Sequence, residues 1–217
     1  MNIEQARFNM IEQQIRTWDV LDPDVLQLLS EVKRERFVAA EHRELAFADL
    51  EIPMGDGQAM WQPKLEARVL QELEVRPTDT CYEVGTGSGY FAALLARRSK
   101  QVTSVDIRAA FVERARQALQ SEGIANVTLM TGDSARSPLG ELSYDVIALT
   151  GSTPVLPQAF FDRLNPGGRL FAVVGDAPAM KAVLVRQGER GEFQRIDLFE
   201  TVLKLLDNAQ QPARFRF

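Results

Sequence analysis

The chain has 217 residues, 45% of them hydrophobic, and a formal net charge of −5. This length fits one domain with its own core, and the negative charge disfavours a protein that binds nucleic acid mainly through phosphates. The single cysteine, Cys81, excludes an intrachain disulfide and suits a reducing compartment. Neither a signal-like N-terminus nor an apolar run of about 18 residues is visible, so we expect a cytoplasmic protein that is not bound to a membrane.

The residue inventory also limits the chemistry. The only histidine, His42, lies in a run of polar residues (41–44) that favours an exposed position. One histidine and one cysteine are too few for an ordinary zinc site, so we expect no metal. A reaction that needs little proton transfer by imidazole fits this inventory best.

The first 75 residues predict helices around a less regular stretch. Helical spacing of apolar residues and helix-start signals predict helices at residues 3–17, 23–32 and 63–73. Residues 37–60 are less regular, and 52–57 predict a loop because glycine and proline cluster there. We expect residues 1–75 to pack on the rest of the chain and not to form an independent domain.

From residue 76 to 217 the pattern alternates between strand and helix. The predicted strands are 80–84, 102–105, 127–130, 145–149 and 170–174, followed by closing strands at 182–185 and 198–203. The predicted helices are 90–97, 111–119 and 157–164, and residues 165–168 predict a turn. This alternation predicts an α/β fold with a doubly wound, mostly parallel, Rossmann-like sheet covered on both faces.

The strongest local signal is the segment Glu83-Val84-Gly85-Thr86-Gly87-Ser88-Gly89-Tyr90, between a predicted strand and a helix. Its alternate glycines allow a sharp turn and let a ligand approach main-chain N–H groups at the edge where open α/β folds bind ligands. The dinucleotide fingerprint G-x-G-x-x-G does not fit, because position 90 is tyrosine. The Glu83 carboxylate would repel a pyrophosphate but suits a cationic sulfonium that carries an amino group.

Polar residues also follow the next strands. Asp106 lies 21 residues after Gly85, where a carboxylate can bind ribose hydroxyls or cap the next helix. Gly132-Asp133 either flanks an adenine ring or forms a simple turn, and the strand that ends at Thr150 should face a reacting methyl group. This order predicts an S-adenosylmethionine site of the class I methyltransferase type. The predicted cofactor-binding residues are Glu83, Gly85, Thr86, Gly87, Ser88, Gly89, Asp106, Ile107, Gly132, Asp133 and Thr150.

Three segments resemble the protein-L-isoaspartate O-methyltransferase family. Residues 32–38 are similar to its VPRExFV stretch, 45–58 to AYxDxPLPIGxGQ, and 83–90 to EIGTGSGY. The resemblance implies that S-adenosylmethionine methylates the free carboxylate of isoaspartyl residues in damaged proteins and becomes S-adenosylhomocysteine. A carboxylate is already a nucleophile, so such an enzyme needs positioning and water exclusion more than a histidine base.

The resemblance breaks on the acceptor side. The family reads GQTISQP where residues 57–63 read GQAMWQP, so Ala59 and Trp61 replace a threonine and the serine that the resemblance implies for holding the acceptor carboxylate. Losing a hydrogen bond to a charged group costs about 1.5–3 kcal/mol. We expect Asp49, Gln58 and Trp61 to face the acceptor. Three alternatives stay open: retained isoaspartyl activity, a different acceptor (a small molecule or, less readily, RNA), and cofactor binding without catalysis.

Other departures from the family pattern are smaller. Residues 132–134 read GDS in place of GDG, and 150–152 read TGS in place of TAA. We expect both changes to leave cofactor binding intact, with Ser152 adding a hydroxyl on the acceptor side. Near the end, Val202-Leu203-Lys204-Leu205 replaces FVPL, which leaves the role of a C-terminal lid open. The sequence does not fix the oligomeric state.

Overall fold

The computed structural model describes residues 2–188 and 190–212. Its N-terminal part contains helices α1 (Ile3–Met10), α2 (Pro23–Glu31) and α3 (Pro63–Leu73). The predicted first helix is interrupted, because α1 passes into a wide π-type turn at Ile11–Ile15 and a narrow 3-10 turn at Arg16–Trp18. Further 3-10 turns occupy Arg34–Arg36 and Ala40–Leu45. None of the described helices is long and apolar enough to span a membrane.

The loop predicted at residues 52–57 is wrong, because this segment belongs to a hairpin. Strands β1 (Ile52–Gly55) and β2 (Gln58–Met60) pair antiparallel. The turn between them needs positive φ at Gly55, Asp56 and Gly57, and two glycines adopt this conformation without a steric penalty. The glycine cluster therefore marks a tight turn between two short strands.

The main sheet has seven strands: β3 (Thr80–Val84), β4 (Gln101–Asp106), β5 (Val127–Thr131), β6 (Tyr144–Thr153), β7 (Leu164–Asp176), β8 (Ala179–Gln187) and β9 (Phe193–Glu200). Helices α4 (Tyr90–Arg98), α5 (Ala109–Ser121) and α6 (Gln158–Phe161) lie between these strands in the chain. The spatial order is β5-β4-β3-β6-β7-β8-β9. The first five of these pair in parallel, and β8 and β9 are antiparallel, which confirms the predicted mostly parallel Rossmann-like sheet.

Two predicted elements differ in extent. The helix predicted at residues 157–164 has only the four residues of α6, because Leu164 already pairs with Tyr144 in the sheet. The predicted turn at 165–168 is an irregularity inside β7, where the pairing jumps from Leu164 to Arg169. The last closing strand lies at Phe193–Glu200, so Leu203 falls outside it.

Hydrophobic cores lie on both faces of the sheet, because successive strand residues point to opposite sides. Helices α1 to α5 cover one face, and their shared core runs from Met10 through Leu73 to Phe171. The other face carries a smaller core in which Phe160 of α6 packs with residues such as Tyr82. Residues before and after position 75 thus share one core, and the boundary at that position remains a prediction.

Candidate cofactor and acceptor cleft

A cleft of about 1100 Å³, its open mouth included, lies at the carboxyl ends of β3, β4 and β6. Its first wall, here called the cofactor wall, comes from the turns that follow these strands and β5, at residues 83–88, 105–108, 132–135 and 150–151. Its second wall, the acceptor wall, comes from the hairpin residues 57–61 and from the C-terminal segment 203–207. The cleft thus brings together turns and segments from distant parts of the chain.

Gly85 fixes the shape of the glycine loop. Its φ is +99°, and a Cβ added there would collide with the Thr150 hydroxyl. That hydroxyl hydrogen-bonds to the carbonyls of Val84 and Gly85 at 2.8 and 2.7 Å, so Thr150 occupies the space that a side chain would need. Both the backbone conformation and the close approach therefore require glycine at position 85.

The third glycine of the loop has a different role from the one predicted. Gly89 has a φ of +83°, and an added Cβ would lie 2.8 Å from the Cβ of Ala115 in α5. It does not line the cleft, whereas Gly85, Thr86, Gly87 and Ser88 do. Gly89 therefore allows α4 to pack closely against α5, and the structure does not bring it to the predicted cofactor site.

Glu83 places a buried carboxyl group in the wall of the cleft. Ser104 donates a hydrogen bond to its Oε2, while Oε1 has no hydrogen-bond partner among the described residues. Burial raises the pKa of Glu83 to about 8. A cation or hydrogen-bond donor in the cleft would find an unused acceptor there, and a cation would favour the ionised carboxylate.

Asp106 orients the loop from the tip of the neighbouring strand. Its carboxylate accepts hydrogen bonds from the main-chain N–H groups of Gly87 and Arg108, both at 2.9 Å. Arg108, and not Asp106, occupies the N-cap position of α5. Each carboxylate oxygen can accept a further bond from a ligand hydroxyl. Ile107 lies beside it at the cleft.

Asp133 connects the cofactor wall to the C-terminal segment. Its carboxylate accepts bonds from the Ala135 N–H at 3.1 Å and from the Asn208 side chain at 2.9 Å. Asp133 and Gly132 both line the cleft. The Gly132-Asp133 turn therefore also helps to hold the segment that closes one side of the cleft.

Trp61 belongs to the core and to the acceptor wall at once. Its side chain is 8% exposed, and its ring centroid lies 5.6 Å from that of Phe91 and 6.2 Å from that of Phe171. The indole therefore fills space that a serine would leave open. Gln58 also lines the cleft, whereas Asp49 does not: its carboxylate pairs with Lys64 at 2.8 Å. The structure thus brings Gln58 and Trp61, but not Asp49, to the predicted acceptor side.

Sequence reasoning missed a buried ion pair behind Trp61. Arg34 pairs with Glu66, and its guanidinium also donates to the main-chain carbonyls of Ala46 at 2.8 Å and Trp61 at 2.6 Å. Glu66 itself lines the cleft. The sequence did contain a signal for this pair. Glu66 falls on the same face of its helix as Val69, Leu70 and Leu73, which are all buried, and a carboxylate on a buried face needs a partner.

The C-terminal segment forms the other missed part of the site. Ser152 of β6 donates its N–H to the Lys204 carbonyl and its hydroxyl to the Leu203 carbonyl, and its own carbonyl accepts from Leu206 N–H. At the mouth of the cleft, Lys204 Nζ donates to the Gly57 carbonyl at 2.6 Å. The segment is thus fixed to the end of the sheet and reaches the hairpin.

The residues of the cofactor wall fit S-adenosylmethionine. Gly85 and Gly87 line the cleft without side chains, Glu83 offers an unpartnered carboxyl oxygen, and Asp106 can accept from ribose hydroxyls. The glycine loop, with glycines at positions 85, 87 and 89 and tyrosine at 90, lacks the G-x-G-x-x-G spacing of a site for a dinucleotide pyrophosphate.

Comparison with known proteins also indicates an S-adenosylmethionine-dependent enzyme. The model of the family described as protein-L-isoaspartate(D-aspartate) O-methyltransferase matches residues 5–203. A protein-L-isoaspartate O-methyltransferase 1 of Syntrophobacter fumaroxidans is 37% identical over 88% of this chain and 89% of its own length. A protein-L-isoaspartate O-methyltransferase of Methanoculleus marisnigri is 37% identical over 87% and 86%, respectively.

A solved structure supports the fold independently. It comes from Plasmodium falciparum, is described as a protein-L-isoaspartate O-methyltransferase and contains S-adenosyl-L-homocysteine. It superposes with a TM-score of 0.77 over 95% of this chain and 98% of its own, at 18% identity. The family match and these relatives show that the chain belongs to the protein-L-isoaspartate(D-aspartate) O-methyltransferase family and is an S-adenosylmethionine-dependent methyltransferase.

Proposed function

We propose that this protein methylates the free carboxyl group of isoaspartyl residues in damaged proteins and peptides. The observation that carries the proposal is the extent of the family match, residues 5–203, which includes the glycine loop, the hairpin and the start of the C-terminal segment. The cofactor wall and the hairpin side of the acceptor wall therefore lie within the match, whereas residues 204–207 lie beyond it.

The cofactor wall has groups for each part of S-adenosylmethionine. The main chain of residues 85–88 and the Glu83 carboxyl would hold the amino-acid and sulfonium part, Asp106 the ribose, and Ile107 with Gly132 and Asp133 the adenine. Thr150 keeps Gly85 in its required conformation. When bound, the cofactor supplies an electrophilic methyl group on a positively charged sulfur.

The protein's own residues would then position the acceptor and exclude water. A carboxylate acceptor carries its own negative charge, so no side chain has to remove a proton. Trp61 and Phe91 give the acceptor side an apolar surface that strengthens electrostatic interactions and limits hydrolysis. The main role of the cleft is therefore to hold the carboxylate in line with the methyl group.

A small-molecule acceptor is the second candidate function. Trp61 favours it, because the indole fills part of the cleft where the family pattern has serine. A narrower acceptor site would admit a small apolar substrate more readily than a polypeptide. RNA is less favoured because of the net charge of −5. We also propose a cytoplasmic location, because a chain with a single cysteine needs no oxidising compartment to fold.

Transfer of radiolabelled methyl from S-adenosylmethionine to an isoaspartyl peptide tests the proposal. The matched control is the same peptide with a normal aspartyl residue. We expect base-labile label, typical of a methyl ester, in the isoaspartyl peptide only. Equal label in both peptides, or none above a no-enzyme control with folded protein that binds S-adenosylhomocysteine, would reject the proposal.

The variant Trp61→Ser separates the two candidate functions. If the indole restricts polypeptide access, isoaspartyl activity should rise by about 10-fold or more, as expected for a restored hydrogen bond to a carboxylate. Removing a large buried aromatic side chain also costs about 3–5 kcal/mol of stability, so the assay is run at low temperature with folding checked by circular dichroism. The variant Trp61→Phe, which keeps most of the packing, is the control.

A further inference from the structure

The acceptor wall lacks two hydroxyl groups that the family pattern would provide. Ala59 and Trp61 stand at those positions, so one hydroxyl donor is lost outright and the other is replaced by the neutral indole N–H of Trp61. If the acceptor is a carboxylate, a cation at the cleft would attract it more strongly than the neutral donors that remain. Among the described residues that line the cleft, the cationic side chains are those of Arg108 and Lys204.

These two cationic side chains differ in whether a carboxylate already pairs with them. Arg108 pairs with Asp207 at 2.6 Å and lies 3.9 Å from Asp56. Lys204 forms no salt bridge within the described part of the chain. Its ammonium donates to the Gly57 carbonyl at 2.6 Å and lies 3.2 Å from the Gln58 side-chain oxygen when that amide is turned toward it. Lys204 is therefore the cleft cation held by neutral oxygens alone.

The position of Lys204 is fixed by the main chain. Ser152 N–H bonds to its carbonyl at 2.9 Å, so the residue is attached to the end of β6. Its ammonium rests against Gly57 and Gln58, the residues directly before the altered position Ala59. An ammonium has three N–H donors, so one remains for a ligand beside these two contacts.

From these contacts, and on the basis of the proposed function, we infer that Lys204 binds the acceptor carboxylate in place of the missing hydroxyls. The ammonium provides a hydrogen bond in which donor and acceptor are both charged, whereas a hydroxyl would bind the same carboxylate with a neutral donor. The cofactor carries a carboxylate of the same chemistry on its amino-acid part. The test below distinguishes that source from the acceptor.

A double-mutant cycle on the full chain measures the contact directly. Protein loaded with S-adenosylhomocysteine is titrated with an isoaspartyl peptide and with the same peptide in which that carboxyl is a carboxamide. In Lys204→Gln, which keeps a donor for the Gly57 carbonyl, affinity for the carboxylate peptide should fall about 10- to 150-fold. Affinity for the carboxamide peptide should change less than about threefold, and Lys204→Arg should retain most of the discrimination.

The contrary outcomes distinguish a failure of this inference from a failure of the proposed function. Equal losses for both peptides in Lys204→Gln would assign Lys204 a structural role only. A loss of S-adenosylhomocysteine affinity, with binding of 5′-methylthioadenosine unchanged, would assign the carboxylate to the cofactor. Wild-type protein that does not prefer the carboxylate peptide would overturn the proposed function together with this inference. A wild-type preference that persists in Lys204→Gln would overturn this inference alone.

Discussion

The two walls of the cleft are built on different principles. The cofactor wall consists of turns at the ends of adjacent parallel strands, and its essential contacts are main-chain groups, glycines and the carboxyl groups of Glu83 and Asp106. The acceptor wall consists of a hairpin and a C-terminal segment that meet where the Lys204 ammonium donates to the Gly57 carbonyl. The cofactor wall follows the family pattern closely because it depends on main-chain geometry, whereas the acceptor wall, which depends on side chains, departs from that pattern.

Ala59 and Lys204 of the acceptor wall lie on the hairpin and the C-terminal segment, away from the strand ends that line the cofactor wall. Trp61 differs from them, because it also packs on Phe171 of β7. The cofactor wall has little freedom to change, because Gly85 and Thr150 occupy each other's available space. Specificity for the acceptor should therefore change more readily than binding of the cofactor.

The largest expected effect comes from the ion pair that supports the acceptor wall. In Arg34→Met, Glu66 stays buried without its partner, and the Trp61 carbonyl loses its donor. We expect the free energy of unfolding to fall by about 3–5 kcal/mol, measured by urea denaturation. Arg16→Met is the control, because the exposed Arg16–Glu12 pair is worth less than about 1 kcal/mol. Similar losses in both variants would contradict a special role for the buried pair.

Glu83 tests the electrostatics of the cofactor wall. The unfolded chain releases its proton near the ordinary pKa of 4.5, whereas burial raises the pKa in the folded protein to about 8. The unfolded state therefore binds fewer protons between these values, so stability falls as pH rises through this window. We expect a wild-type loss of roughly 3 kcal/mol from this group and a flatter profile for Glu83→Gln. Urea denaturation at pH 5 and pH 8 measures it, with Glu113→Gln as a surface control; parallel profiles for Glu83→Gln and wild type would refute the effect.

Gly85→Ala tests whether the cofactor wall tolerates any side chain. The φ of +99° alone costs on the order of 1–3 kcal/mol for alanine, and the Cβ would also collide with Thr150. Gly140→Ala is a matched control, because φ is +82° there but nothing lies within 4 Å of the added Cβ. We expect S-adenosylhomocysteine to raise the melting temperature of Gly140→Ala as in wild type and to have no effect on Gly85→Ala. A normal shift in Gly85→Ala would show that the loop has more room than its geometry indicates.

The smallest expected effect concerns the ion pair at the mouth of the cleft. Arg108 and Asp207 are both partly exposed, so Asp207→Asn should change the free energy of unfolding by less than about 1 kcal/mol. Because the same change frees Arg108 at the cleft, Asp207→Asn should bind added acetate more strongly than wild type does, and Lys204→Gln should bind it more weakly. Nuclear magnetic resonance titration measures the acetate affinity, and urea denaturation measures the stability. A loss of unfolding free energy well above about 1 kcal/mol would mean that the Arg108–Asp207 pair holds the C-terminal segment in place.

The difference between the two walls also explains which parts of the fold and of the site could be predicted from the sequence. The sheet and the glycine loop follow from local patterns, since strand, turn and helix are contiguous at residues 80–98. Spacing alone could not tell that Gly89 faces Ala115 and not the cleft. The Lys204–Gly57 contact joins residues 147 positions apart, and no local pattern encodes it. The resemblance aligned Asp49 with a family segment but could not give the direction of its side chain.

Calorimetric titration with S-adenosylhomocysteine, run in parallel with NAD, shows whether the cleft binds a sulfur nucleoside. We expect saturable one-to-one binding of S-adenosylhomocysteine and no binding of NAD, because the glycine loop lacks the G-x-G-x-x-G spacing of a dinucleotide site. Saturation by NAD, with no heat from S-adenosylhomocysteine, would show that the cleft is not an S-adenosylmethionine site.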